Sequence, residues 1–175
     1  MAKFICLLRG INVGSKVLKM EDLRKLFESL GFKDVTTYIQ SGNVLFNAPA
    51  SLEESLRKKI EAAIKKKFSM DVTAILRSPA ELTAVVAKNP LAQRDLSRIY
   101  VTFLDEACKK PPLEDISKAK AKMDELVIQG REVYFFCPEG YGKTKLSNNF
   151  LEKKLNCSGT TRNWNTVLKL AEMAK

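Results

Sequence analysis
Two short segments 89 residues apart constrain the fold more than any other feature of the chain. The first reads Ile39-Gln40-Ser41-Gly42 and then Val44-Leu45-Phe46; the second reads Ile128-Gln129-Gly130 and then Val133-Tyr134-Phe135. Each sets β-branched and aromatic residues on both sides of a glycine-bearing turn, which is the pattern of a β-hairpin. The apolar runs that open the two halves, at Phe4 and Ile99, stand 95 residues apart. Similar offsets at corresponding elements point to duplication of one β-α-β-β-α unit. Two unrelated α+β units that share only their element order would give the same impression, because few residues are identical between the halves.

Between these landmarks the apolar spacing predicts the remaining elements. Residues 4–8 form a continuous apolar run and read as a buried strand. Met20, Leu23, Leu26, Phe27 and Leu30 recur at helical spacing and Gly31 ends the helix. Strands at 35–39 and 44–46 precede a helix whose buried face carries Leu52, Leu56, Ile60, Ile64 and Phe68, with Ser51 and Glu54 as its capping box. A strand at 72–76 closes the first half. The second half is expected to hold a short helix at 80–87 and strands at 99–104, 125–129 and 132–137, with a helix at about 113–122. Another helix is marked by Leu146, Phe150, Leu151 and Leu155. After Gly159 the segment TTRN reads as a connection, and Trp164, Val167, Leu168 and Ala171 mark one face of a last helix. The β-α-β-β-α-β order of the first half is the split-βαβ, or ferredoxin-like, pattern. The expected fold is therefore α+β: two ferredoxin-like βαββα-type units packed together. The first subdomain would span residues 1–77, and the second 78–175 with extra helices.

Composition narrows the chemistry. The chain of 175 residues has 30 Lys and Arg against 20 Asp and Glu, a formal charge of +10, and no histidine. Lacking imidazole, it has no Ser-His-Asp or Cys-His centre and no histidine metal ligand. The excess of positive charge favours acidic partners, such as nucleic acid or a phosphorylated small molecule. A lysine-rich surface also serves solubility alone. The four cysteines, at 6, 108, 137 and 157, form no C-x-x-C pair. That removes zinc-ribbon and thioredoxin readings, and the lack of disulfide-like spacing suits a reducing, cytoplasmic compartment. Cys6 and Cys137 lie in apolar runs and read as buried thiols. Scattered carboxylates make no metal cage, so neither a metal nor a cofactor is expected, and no stretch is long and apolar enough to enter a membrane.

Three segments combine glycine, asparagine and basic residues. Arg9-Gly10-Ile11-Asn12-Val13-Gly14 leaves the first strand and leads toward a helix. Backbone N–H groups there can hold an anion under Arg9, although a plain β-to-α connection also uses glycines for positive φ. Gly140-Tyr141-Gly142-Lys143-Thr144-Lys145 resembles the end of a P-loop, but the glycine required five positions before Gly142 is Cys137, so the Walker motif fails. What remains is a basic loop with Lys143 and Lys145 as point charges. Thr160-Thr161-Arg162-Asn163-Trp164 sets Arg162 and Asn163 beside an aromatic ring, as in base stacking; equally, Asn163 caps the last helix and Trp164 begins its buried stripe.

At these loops the chain resembles the bacterial family catalogued as domain of unknown function 1697. The segments that carry the likeness are LLRGINVGSKVLKMEDLRKLFESLGF, VTTYIQSGNVLF, GYGKTKLSNNFLEKKL and TTRNWNTVLKL, which together reach from Lys3 to Leu170. The resemblance implies an α+β fold of ferredoxin-like plaits, no established activity and no catalytic residues. In such a plait the hairpin turn is expected at the opposite end of the sheet from the end of the first strand. Ser41 would then not meet Arg9, and Arg9 and Asn12 would join the GYGKTK or TTRNW segment across the interface between halves. The expected function is binding of a nucleic acid or phosphorylated ligand through Arg9, Asn12, Lys143, Lys145, Arg162 and Asn163. The alternatives are an enzyme acting on a small anionic metabolite between the halves and an interaction module without a small ligand.

Overall fold
The first strand, β1 (Ala2–Arg9), buries every residue from Ile5 to Leu8, as a run with apolar side chains on both faces requires. In the computed structural model, which describes residues 1–15 and 17–175, it is followed by α1 (Met20–Ser29), β2 (Lys33–Tyr38), β3 (Asn43–Ala48), α2 (Glu53–Phe68), β4 (Thr73–Arg77) and α3 (Pro79–Ala87). Lys16 of the expected first loop lies outside the described residues. The second set is β5 (Ile99–Leu104), α4 (Leu113–Ala119), β6 (Glu125–Gln129), β7 (Glu132–Phe136), α5 (Asn148–Leu155), β8 (Gly159–Asn163) and α6 (Trp164–Met173). Strand order is β2-β3-β1-β4 in one sheet and β6-β7-β5-β8 in the other, and all neighbours are antiparallel. Among the described residues the protein is thus a mixed α+β structure with two four-stranded antiparallel sheets and six helices, consistent with two repeated α+β units. The chain divides into Met1–Thr83 with Leu170–Lys175, and Ala84–Lys169.

Each unit has its own core. In the first, Leu23, Leu26 and Phe27 of α1 and Leu56, Ile60 and Ile64 of α2 cover Cys6, Leu8, Val44, Phe46, Ala74 and Leu76 of the sheet. Phe46 meets Phe32 in a stacked pair at 4.5 Å and Phe27 edge-on at 5.3 Å. In the second, Leu104, Val133, Phe135 and Cys137 pack with Ile116, Leu151 and Leu155.

Three local expectations change. TTRN is a strand: β8 pairs with β5 from Leu104↔Gly159 to Tyr100↔Asn163. Its polar residues hid it, because no apolar alternation marks GTTRN. Ser51 does not cap α2. The N-cap is Leu52, which carries no side-chain cap bond and is exposed rather than buried. The capping box sits at the next helix, where Ser78 N donates to a Glu81 carboxylate at 2.7 Å and Glu81 N donates back to Ser78 Oγ at 3.2 Å. Pro79 occupies the first helical position, where its missing N–H costs nothing. On α6, Trp164, Val167 and Ala171 are buried, but Leu168 is exposed.

The hairpin turn also lies elsewhere than expected. Because β3 runs antiparallel to β1, its first residue Asn43 pairs with Leu7, near the end of β1. The turn and the Arg9 loop therefore share one end of the sheet. Leu8 N donates to Gly42 O at 2.9 Å, and the second unit repeats this contact from Leu104 N to Arg131 O at 2.8 Å.

Candidate functional site
The glycine-rich loop after β1 is built by alternation of backbone hand. Gly10, Asn12 and Gly14 have φ of 75°, 54° and 63°. An added Cβ at Gly10 or Gly14 would meet nothing within 4 Å, so the backbone conformation and not crowding selects glycine there. Positive φ at alternate positions bends the loop tightly, a setting in which backbone N–H groups can converge on an anion. Asn12 fixes the loop. Its Nδ2 donates to Gln40 O at 2.6 Å and its Oδ1 accepts from Leu18 N at 2.6 Å. The loop is thereby tied to the hairpin turn on one side and to the approach of α1 on the other.

The turn is held as firmly. Asn43 is fully buried, and its Nδ2 donates to Tyr38 O and to Ser41 Oγ, both at 2.9 Å. A Cβ at Gly42, where φ is 79°, would stand 2.5 Å from Ile11 Cδ1. The RGINVG and QSGN motifs are thus two sides of one packed corner. Val13, Gly14 and Ser15 are exposed at its rim, and Arg9 is partly exposed at its base.

In the second unit, Tyr141–Lys143 forms a 3-10 turn. Lys143 is exposed and lies 3.7 Å from Glu139, and Lys145 is exposed beside it. The residues between and after them are structural. Thr144 Oγ1 donates to the buried carboxylate of Asp124 at 2.7 Å and accepts from Leu146 N at 3.0 Å. Ser147 caps α5 by accepting from Phe150 N at 3.2 Å. Asn148 takes the Tyr141 hydroxyl as acceptor for its N–H at 3.0 Å and donates through Nδ2 to Gly159 O at 3.0 Å. Its Oδ1 accepts from Thr161, whose hydroxyl also bonds that of Thr102 at 2.8 Å.

Arg162 and Asn163 are placed by β8. Arg162 is 7% exposed, and its Nη1 donates to Thr160 Oγ1 at 2.7 Å and to Thr161 O at 2.9 Å. Asn163 caps α6 by accepting from Thr166 N at 2.9 Å. Of the six residues singled out, Arg9 and Asn12 belong to the first unit and Lys143, Lys145, Arg162 and Asn163 to the second. The partners Gln40 and Asp124 were not foreseen. A backbone carbonyl leaves no trace in a sequence, and an isolated Asp gives no spacing signal.

Three weakly acidic side chains hold their protons well above neutral pH. Burial raises the Cys137 thiol to about 11, opposed by its hydrogen-bonding contact with Thr144 and helped by the nearby Asp124 carboxylate. Burial also raises Cys157 to about 11 and the Tyr134 hydroxyl to about 12. Among the described residues no three or more Cys, Asp or Glu side chains gather as a metal site. No described helix is long and apolar enough to cross a membrane.

The two sheets, their common strand order and the glycine-bearing corner define a class of tandem α+β proteins. The chain belongs to the family described as "Protein of unknown function (DUF1697)", whose model matches residues 1–134. The conserved bacterial protein SP0830 from Streptococcus pneumoniae has a similar structure, with a TM-score of 0.77 and 27% sequence identity over 99% of each chain. No curated protein matches the sequence.

Proposed function
We propose that the protein binds a phosphorylated ligand through its glycine-basic loops, with the corner of residues 9–14 as the seat of the phosphate. The observation that carries this reading is the alternation of left-handed backbone at Gly10, Asn12 and Gly14 directly after Arg9. Backbone N–H groups gathered by such turns would give one anion several donors, and the guanidinium adds charge and a fork of donors. Asn12 holds the loop in shape before any ligand arrives, so little ordering entropy opposes binding. Lys143 and Lys145 add exposed positive charge in the second unit, whereas Arg162 and Asn163 serve that unit as a strand tie and a helix cap.

The test is an NMR titration of the full chain with inorganic pyrophosphate and, separately, with single-stranded DNA at low and physiological salt. Saturable amide shifts at residues 10–15 with pyrophosphate, lost in Arg9→Ala, are expected. DNA binding whose affinity falls steeply with salt, and which weakens in Lys143→Ala/Lys145→Ala, would identify the phosphate source as nucleic acid. Shifts with neither probe at residues 10–15 overturn the reading.

A further inference from the structure
The opposite end of the first sheet, remote from the glycine corner, holds a depression of about 410 Å³ lined by Lys3, Asp34, Thr36, Leu45, Asn47 and Met173, with Phe46 beneath it. That volume falls within the usual range of small-molecule sites, about 300–1,000 Å³. Its polar side chains are arranged by an irregularity in β2. Lys33 pairs with Asn47 and Thr36 with Leu45, so β2 carries one residue more than β3 over this stretch. Asp34 sits in this bulge with φ of 50°. A bulge of this kind re-aims the side chains of its strand, and such irregularities gather at functional sites. Here Asp34 Oδ2 accepts from Asn47 Nδ2 at 2.6 Å.

The duplicated fold provides an internal control. The second sheet pairs β6 with β7 in unbroken register from Gln129↔Glu132 to Glu125↔Phe136. Matched through strand pairing, the places of Lys3, Thr36 and Asn47 are taken there by Ile99, Val127 and Phe136. The architecture therefore needs neither the bulge nor the polar residues. They are particular to the first unit, and folding alone does not account for them.

The chemistry of the depression is that of two opposite charges kept apart. Lys3 and Asp34 both line it, yet they form no ion pair with each other or with another described residue. Lys3 makes no side-chain hydrogen bond to a described residue. Leu45, 4% exposed, and Met173 supply apolar surface beside these charges. We propose that this depression binds a small zwitterion, an α-amino acid with an apolar side chain. The Lys3 ammonium receives its carboxylate, Asp34 its ammonium, Thr36 and Asn47 add hydrogen bonds, and Leu45 and Met173 receive the side chain. The proposal is independent of the phosphate reading, which concerns the other end of the sheet.

The experiment is a titration of the isotopically labelled full chain with L-leucine and L-methionine, with 4-methylpentanoate and isopentylamine as probes bearing only one of the two charges. Saturable shifts confined to the amides of residues 3, 34, 36, 47 and 173 are expected with the amino acids. Binding of either single-charge probe should be about tenfold weaker or less, the equivalent of about 1.4 kcal/mol per lost charge pair. Lys3→Met and Asp34→Asn should each weaken amino-acid binding by about the same factor while leaving the rest of the spectrum unchanged. No saturable shift with either amino acid, or equal binding of a single-charge probe, overturns the proposal. If a variant loses the dispersed spectrum of the folded protein, the single-charge probes on the unaltered chain decide the matter alone.

Discussion
Buried thiols act on this protein through the protons they refuse to give up. Cys137 is fully buried, and Cys157, half-buried, lies two residues past the end of α5 under the influence of the Asp105 carboxylate. In both, burial is the largest reason that ionisation waits until about pH 11, against an ordinary thiol near 9. Tyr134, whose hydroxyl donates to Val85 O at 3.1 Å, waits until about 12. The folded state keeps these protons while the unfolded chain releases them. Stability is therefore whole below the unfolded value and falls as pH rises through the folded one. For the thiols the window is about pH 9 to 11, with a slope of about 1.4 kcal/mol per pH unit for each group. Urea unfolding across that window should show the decline, and Cys137→Ala should flatten it by roughly one group's share. An unchanged slope in Cys137→Ala would remove this thiol from the explanation.

At the scale of elements, the repeat is clearest where the fourth strand of each unit turns into a helix. Arg77 and Arg162 each stand two residues before a helix start, and each donates from Nη1 to the carbonyl of the preceding residue, at 2.8 Å and 2.9 Å. The residues that follow, Ser78 and Asn163, both cap the helix by accepting from a backbone N–H three residues on. Arg77→Met and Arg162→Met keep most of the bulk but remove the guanidinium that donates to this carbonyl, at a cost of about 1–3 kcal/mol each. Arg77 is wholly buried while Arg162 is 7% exposed, so water can replace less at Arg77 and its variant should lose more. Urea denaturation of the two variants measures the difference; equal stability to the parent chain would show that the corner does not need the arginine. This correspondence was hidden in the sequence for a physical reason. The hairpins advertise themselves through apolar alternation on both sides of a glycine, and the duplication was read from them. β8 offers Thr160, Thr161 and Arg162, whose hydrogen bonds to one another and to Asn148 take the place of apolar burial. The strand is polar because its neighbours satisfy it, and only coordinates show neighbours. The glycine corner was half legible for the same reason. Gly10, Gly14 and Asn12 announced an unusual backbone, but the antiparallel run of β3 that brings Gln40 to Asn12 is a property of the whole sheet.

For the whole molecule, the charge of +10 is spread evenly. Each unit has 15 basic residues against 10 acidic ones. Neither unit is a neutral scaffold for a basic partner, and the like charge of the fold as a whole opposes its compaction. Several lysines are answered locally, as in the helical pairs Lys25–Glu21, Lys58–Glu54 and Lys118–Glu114, but these pairs are exposed and contribute little. Salt acts on the two effects with opposite sign. It weakens exposed attractions that were small to begin with, and it screens a repulsion summed over the whole surface. Raising sodium chloride from about 0.01 M to about 0.15 M shortens the Debye length from roughly 30 Å to roughly 8 Å, less than the span of either unit. Repulsion between distant lysines then fades while contacts at a few ångströms persist. The thermal midpoint should therefore rise over this range, by about 2–4 °C for a gain of about 1 kcal/mol in a chain of this length. Scanning calorimetry at the two salt concentrations reads the shift. A midpoint that falls would mean that attraction between specific pairs outweighs the net charge, and an anion held tightly at the glycine corner would reveal itself as a rise with phosphate well beyond that with chloride of equal ionic strength.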